Sequence, residues 1–351
     1  MVNAQRDPLA GKIPVTLITG FLGSGKTTLI SKLVRHPDMR RVAVVINEIG
    51  EIGIDHDLVT MSSENVTLLA NGCICCSVRT DLQETLRDLF ARRRAGEIAD
   101  FDRVIVETTG LADPAPVVQT LVSDTLLAAQ YRLDGLVTLV DALHGAYQIK
   151  HRPEAAKQIA LADRLFITKS DMADPEAIKA LEACILEINP GAGVALIVNG
   201  EIHPDALTNL GLATSRAGQA TLSFLGESLA QSNSAGERYL GARSALHDSS
   251  IKTLSLRFEA PFTWATFSAA LELLATLRGP DLLRVKGIVN VEGAAVVVQG
   301  VHHIFHPPVT LDRWPSADTG TRLVFITRNM EVAVIRNLLN AVGAVNEPPG
   351  S

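Results

Sequence analysis

Aromatic residues are scarce in this sequence, at 4%, so its core has to be built chiefly from Val, Leu, Ile and Ala. Long apolar runs are missing. No stretch approaches the roughly 20 residues that cross a bilayer as a helix, and the opening segment MVNAQRDPLAGK lacks the apolar centre of a secretory signal. A cytoplasmic protein with no membrane partner is the expectation. Positive charge is not in excess either. Lys and Arg number 32 against 38 Asp and Glu, a net charge of −6. That speaks against nucleic acid as the main partner, because a polyanion rewards a basic surface. Cysteine occurs only four times, yet three of the four crowd into NGCICCSV, at positions 73, 75 and 76. In a reducing cytosol such a cluster points to metal or redox chemistry more than to disulfides, and the adjacent pair Cys75–Cys76 would be strained as a disulfide.

What is present is an alternation. From Ile13 to about Gly200, short β-branched runs (IPVTLIT, RVAVVIN, DRVIVET, LDGLVTLVD, DRLFITK, GVALIVN) are separated by helical stretches such as KTTLISKLVR and DLQETLRDLFARRR. Nearly continuous apolar strands interleaved with helices predict an α/β domain with a parallel sheet covered on both faces. Residues 211–250 lose this periodicity and read as a linker or surface loop. The pattern resumes over 251–351 as strand, helix, three strands and a last helix, which predicts a small α+β domain with a largely antiparallel sheet. The expected organisation is thus 1–210, 211–250 and 251–351.

TGFLGSGKTT follows the first strand and opens the first helix. Gly20, Gly25, Lys26 and Thr27 satisfy G-x-x-x-x-G-K-[ST] in the strand–loop–helix setting that a P-loop requires. The segment supplies Gly20, Gly23, Ser24, Gly25, Lys26, Thr27 and Thr28 as candidate nucleotide contacts. Glycines let backbone N–H groups wrap a phosphate, the helix N-terminus adds positive potential, Lys26 neutralises the outer phosphates, and the Thr27 hydroxyl ligates Mg²⁺. In RVIVETTG, Glu107 ends an apolar strand and can hold Mg²⁺ through a water or orient the attacking water, while the Gly110 N–H can sense the terminal phosphate. Lys26 and Glu107 are the catalytic candidates. FITKSD places Lys169 and Asp171 where GTPases carry N-K-x-D. Asp171 can accept hydrogen bonds from guanine N1–H and N2–H₂, although Thr168 replaces the asparagine. Asn199, after the last strand of the domain, is a further candidate beside the base.

For Cys73, Cys75 and Cys76, three readings stand open: a metal site, a redox pair, or a buried apolar strand, since free Cys behaves as a small hydrophobe. In an extended segment Cys75 and Cys76 face opposite ways, and a turn at the pair gathers all three thiols on one ion. Thiolates suit Zn²⁺ and Cu⁺, and Glu48 and Glu51 in NEIGEIGID are candidate supplementary ligands. Cys184 occupies an apolar helical position and reads as core. VHHIFH places His302, His303 and His306 in one predicted strand. Asp113, with Pro114 at a helix start, reads as a cap.

Taken together, GFLGSGKTT, NEIGEIGID, NGCICC, ETTGLADPAPV, TKSD, LLRVKGIV, QGVHH and TRLVFITRN resemble the CobW-type family of GTP-binding metallochaperones, which includes zinc-regulated GTPases and nitrile hydratase activators. The resemblance spans residues 13 to about 342. It implies a P-loop domain followed by a CobW C-terminal domain, slow GTP hydrolysis, and Zn²⁺ or another transition metal such as Co²⁺ at the cysteine motif. It also implies delivery of that ion to a client metalloprotein. A homo-oligomer is compatible with everything in the sequence. The rival readings are a metal-independent regulatory GTPase and a metal buffer or sensor in which the nucleotide is structural.

Overall fold

The computed structural model of the chain describes residues 11–39, 41–47, 59–63, 66–69, 74–77, 82–208, 210 and 250–345. These fall into two compact units, residues 1–182 with 193–213 and residues 183–192 with 214–351. Most of the expected 211–250 linker lies outside the described residues, as do Glu48, Glu51 and Cys73.

The first unit is built on nine strands: β1 (Ile13–Gly20), β2 (Val42–Asn47), β3 (Val59–Ser63), β4 (Val66–Leu69), β5 (Ile74–Ser77), β6 (Arg103–Thr108), β7 (Tyr131–Asp141), β8 (Arg164–Thr168) and β9 (Gly193–Leu196). Their order is β3-β4-β5-β2-β6-β1-β7-β8-β9. From β5 to β9 every neighbouring pair is parallel, while β4 runs antiparallel to both β5 and β3. The six expected strands are all present, and β5, with Cys75 and Cys76, joins them. β1 lies in the middle and its last six residues are all buried, which is why it reads as a β-branched run without alternation.

The helices are α1 (Lys26–Leu33), α2 (Leu82–Ala95), α3 (Ala115–Ser123), α4 (Thr125–Gln130), α5 (Gly145–His151), α6 (Pro153–Leu161) and α7 (Pro175–Ile188). α1 buries Lys26, Leu29, Ile30 and Leu33, the i, i+3, i+4, i+7 stripe of a helix lying on a sheet. Leu29, Ile30 and Leu33 meet Ile18, Val44, Ile105, Val137 and Phe166 in one cluster. α2 is tied down where Asp124 caps α4. Its Oδ1 accepts from the N–H groups of Leu126 (2.9 Å) and Leu127 (3.0 Å), and its Oδ2 accepts from Gln83 and from Arg87 at 2.6 Å. The Leu127 N–H, with smaller contributions from Gln83, Leu126 and Arg87, holds the Asp124 carboxyl below the usual carboxylate range.

The second unit is antiparallel. β10 (Ile251–Phe258), β15 (Thr321–Arg328), β11 (Leu282–Val291), β12 (Ala294–Val301) and β13 (Ile304–Phe305) follow one another across the sheet, with β14 (Val309–Thr310) also on β12. Helices α8 (Trp264–Arg278) and α9 (Val332–Val345) bury Phe267, Leu271, Leu274, Ile335 and Leu339 against Val285, Val289, Leu323 and Phe325 of the sheet. The single strand expected through VHHIFH is not formed. His302, at φ 54°, turns the chain, so that Val301 pairs with Ile304 and Gly300 with Phe305. A two-residue turn next to a β-branched run leaves no break in hydrophobic pattern, and that is why the periodicity hid it. Among the described residues no helix is long and apolar enough to cross a membrane. Cys184 is buried, and burial together with the Glu187 charge pushes its thiol up to about 11. It stays protonated at neutral pH, as a core residue does.

Ile18 is fully buried in the sheet core one residue before Thr19. An Ile18→Ala substitution is expected to cost about 2–5 kcal/mol, measured by urea-induced unfolding followed by circular dichroism.

Candidate functional site

The chain leaves β1 for β2 on one side and leaves β6 for β7 on the other, since β6 and β7 flank β1. Connections that diverge in this way open a crevice at the C-terminal ends of the strands. The expected phosphate loop lies there. Gly20, Gly23 and Gly25 have φ of 143°, 76° and 92°, backbone that side-chain-bearing residues rarely adopt. At Gly20 a Cβ would stand 2.5 Å from Leu139 O and 2.6 Å from Ser24 Oγ, so only glycine lets the chain turn this tightly against β7. Gly25 caps α1, and the helix N-terminus points its free N–H groups and dipole into the loop.

Lys26 is 5% exposed, and its Nζ donates to Gly20 O at 3.0 Å, across the mouth of the loop. Ser24 Oγ is buried and has no hydrogen-bond partner among the described residues. A buried hydroxyl is costly to leave unmade, and here it belongs to a loop of inward-turned glycines beside a folded-back ammonium. The donor set fits a polyphosphate.

Thr27 Oγ1 lies 3.4 Å from Oε1 of Glu107, which is 1% exposed. This pair, a hydroxyl at the helix start and a carboxylate at a strand end, fits Mg²⁺ between loop and sheet. Next to Glu107, Thr108 donates to Thr19 at 2.8 Å and locks the ends of β6 and β1 together. Gly110 abuts the loop, since a Cβ there would come within 2.6 Å of Leu22 Cδ2 and 2.8 Å of Leu22 N. Gln158, fully buried on α6, holds this turn by donating to Gly110 O (3.2 Å) and Ala112 O (3.1 Å). Asp113 accepts from the Ala115 N–H at 3.1 Å, in keeping with a cap, and also pairs with Lys157 at 2.6 Å.

Thr168, which stands where N-K-x-D has asparagine, donates to Ser24 O at 2.8 Å and lies 3.3 Å from Val140 O. Its hydroxyl ties β8 to the phosphate loop. Lys169, at φ 55°, sends Nζ to Oδ2 of the buried Asp141 at 2.7 Å. Asp171 follows in a short 3₁₀ turn (Ser170–Met172) with its side chain exposed. Asn199 (φ 50°) and Gly200 (φ 70°) make the neighbouring turn, and a Cβ on Gly200 would come within 3.0 Å of Leu29 backbone atoms on α1. Asp141 and Gln158 were not singled out in the sequence, and Thr168 was noted there only as the departure from N-K-x-D. Asp141 ends an apolar strand just as Glu107 does, so the same signal was there to be read. Gln158 carried no signal, because its carbonyl partners come from a turn 46 and 48 residues away.

Cys75 and Cys76 lie in β5, so the pair is extended backbone and not a turn. Ser77 pairs with Ile46, Ile46 with Glu107, and Glu107 with Ile18. The cysteine strand therefore ends level with Glu107, two strand spacings away, about 10 Å between backbones. Glu48 follows directly on Asn47, which pairs with Thr108.

Fold and loop define a P-loop nucleotide-binding protein. The model of the CobW/HypB/UreG nucleotide-binding domain matches residues 14–195, and that of the cobalamin synthesis protein CobW C-terminal domain matches residues 251–343. The chain belongs to the CobW family. It is 33% identical to the zinc chaperone YjiA of Escherichia coli over 90% of this chain and 93% of that one. It is 30% identical to the zinc chaperone CobW of Pseudomonas aeruginosa over 93% and 91%. The crystal structure of Zn(II)-bound YjiA GTPase from E. coli superposes with a TM-score of 0.73 at 30% identity, covering 94% of this chain and 99% of that one.

Thr168→Val keeps the shape of the side chain but removes its hydroxyl. The expected cost is about 1–3 kcal/mol, from stranding the Ser24 carbonyl, read in chemical denaturation. Unchanged stability would show that the loop is anchored elsewhere.

Proposed function

We propose that this protein binds GTP with Mg²⁺, hydrolyses it slowly, and carries a transition-metal ion, zinc, to a client metalloprotein. Its relatives include proteins named as zinc chaperones over nearly the whole chain. The observation that carries the reading is the register row Ile18–Glu107–Ile46–Ser77. It brings the cysteine strand and the magnesium carboxylate to one edge of one sheet. Residues 1–210 act as the nucleotide domain and 251–351 as the CobW C-terminal domain.

Each residue has a task that follows from its position. Lys26 exchanges its bond to Gly20 O for the outer phosphate oxygens, and the loop N–H groups wrap the chain of phosphates. Thr27 and Glu107 would hold Mg²⁺, which would supply charge neutralisation for the phosphates. The Gly110 N–H, kept against Leu22 by Gln158, is placed to register whether a terminal phosphate is there. Asp171 reads the guanine edge, with Lys169 steadied by Asp141 and with Asn199 alongside.

Cys73, Cys75 and Cys76, with Glu51 or Glu48, hold the cargo, and gathering all three thiols on one ion requires the extended Cys75–Cys76 pair to turn when metal binds. Glu48 and Glu51 come just after β2 in the sequence, and we take this segment as the one that responds to the terminal phosphate. A difference of about 1.4 kcal/mol between the two nucleotide states changes metal affinity tenfold.

Asp171→Asn exchanges an acceptor for a donor facing the base. GTP affinity is expected to fall about 10-fold to 100-fold, because hydrogen bonds to a charged group are worth about 1.5–3 kcal/mol, while XTP, with an oxygen at position 2, gains. Equal loss for both nucleotides would remove Asp171 from the base site. For the cargo, Co²⁺ serves as a probe because sulfur ligation gives an intense charge-transfer band. A Cys73→Ser, Cys75→Ser, Cys76→Ser variant is expected to lose that band, and wild-type affinity is expected to differ at least about tenfold between a non-hydrolysable GTP analogue and GDP. An unchanged band in the variant would favour a metal-independent regulatory GTPase, and equal affinities would end the coupling.

A further inference from the structure

At the far end of α1 from the phosphate loop, two histidines and an aspartate converge. His36 and Asp38 follow the helix C-terminus, and His203 arrives from the segment after β9. One donor atom of each residue lies within 4.8 Å of the other two. Asp38 Oδ2 is the hub, 3.8 Å from His36 Nδ1 and 3.7 Å from His203 Nε2, and His36 Nδ1 also accepts the Asp38 backbone N–H at 3.2 Å, a bond that an ion on this nitrogen would displace. The two distances from Oδ2 are too long for hydrogen bonds. They are close to the roughly 3.4 Å that separates ligand atoms around a tetrahedral ion with bonds of about 2.1 Å. A small rotation of exposed side chains closes the difference.

The surroundings suit a cation. His203 turns Nδ1 toward Asp205, 3.4 Å from its backbone N–H and 3.2 Å from its Oδ2. Nε2 faces Asp38, and it offers a lone pair to a metal in the tautomer whose Nδ1–H donates to the Asp205 carboxylate in place of accepting from the Asp205 N–H. A carboxylate behind a ligating imidazole orients the ring and raises its basicity. The two rings meet edge to face with centroids 5.5 Å apart, and the end of α1 contributes the negative end of its dipole. Lys32, the basic residue in the last turn of α1, pairs with Glu201 at 3.1 Å.

We propose that His36, Asp38 and His203 form a second metal site, for a divalent first-row transition ion, with water completing the coordination. The ligands are two nitrogens and an oxygen, a set that suits Zn²⁺, Co²⁺ or Ni²⁺ and differs from the thiolates of the cysteine motif. Its ion staples the segment that follows Gly200 to the end of α1, whose first turn carries Lys26 and Thr27. The site is independent of the cysteines, so it stands or falls apart from the cargo reading.

The test uses the full-length chain with Cys73, Cys75 and Cys76 changed to Ser, titrated with Co²⁺ and Zn²⁺ alone. One equivalent is expected to remain, without the sulfur charge-transfer band, and Zn²⁺ is expected to raise the melting temperature. Adding His36→Ala and His203→Ala should abolish both effects, and Asp205→Asn should weaken binding about 10-fold to 100-fold. Asp38→Asn serves as a second removal of a ligand that leaves both rings in place. GTP turnover of His36→Ala/His203→Ala with intact cysteines reports that the nucleotide site is still folded. No residual equivalent in the cysteine-free chain, or one that survives the histidine changes with unaltered affinity, overturns the proposal.

Discussion

The whole site rests on one close approach of backbone to backbone. At the end of β1 the chain turns so tightly against Leu139 that no side chain fits at Gly20. That turn creates the hollow into which loop N–H groups, the Lys26 ammonium and the first turn of α1 all point. It needs buttressing, because positive-φ backbone is easily lost. Three side chains supply it from other elements: Thr168 from β8, Thr108 from β6 and Gln158 from α6. Each bond is modest in net energy. Their joint effect is to fix a concave anion site before any anion arrives, which lowers the ordering cost of binding.

Sheet register then decides what the site can talk to. Parallel strands bring every C-terminal end to one edge, and here that edge carries the phosphate loop, Glu107, Asn47 leading into Glu48, and the strand of Cys75 and Cys76. A nucleotide-dependent change at Glu107 or Gly110 has only two strand spacings to cross. Coupling over such a distance needs no long chain of intermediates. It needs a segment with two placements of nearly equal free energy.

The substitution at Thr168 shows how a motif can change while its mechanical work continues. The position that departs from N-K-x-D still hydrogen-bonds the phosphate loop through a shorter side chain, and the motif's aspartate, Asp171, is kept three residues on. Lys169 meanwhile finds its counter-charge on Asp141, so a left-handed residue is held by an ion pair whose carboxylate is buried and whose lysine is partly exposed. Beyond the other end of α1, His36 and Asp38 follow the helix that begins at the phosphate loop, and His203 meets them from the segment after β9. One short helix therefore links the phosphate loop to the proposed second metal site.

By itself the sequence determined much of what depends on local spacing. The alternation of apolar strands and helices specified the parallel α/β domain, the run from Gly20 to Thr28 specified the phosphate loop, and the strand-end position of Glu107 marked it as the candidate magnesium carboxylate. Only the tertiary structure decided matters that depend on segments far apart in the chain. Gln158 reaches the Gly110 turn, Thr168 reaches Ser24, and His203 reaches Asp38, in each case because folding places side by side residues between which the chain has no fixed spacing. The turn at His302 was hidden for the opposite reason. A two-residue reversal is too short to interrupt a hydrophobic pattern, so the pairing of Val301 with Ile304 is visible only once the hydrogen bonds between strands are in place.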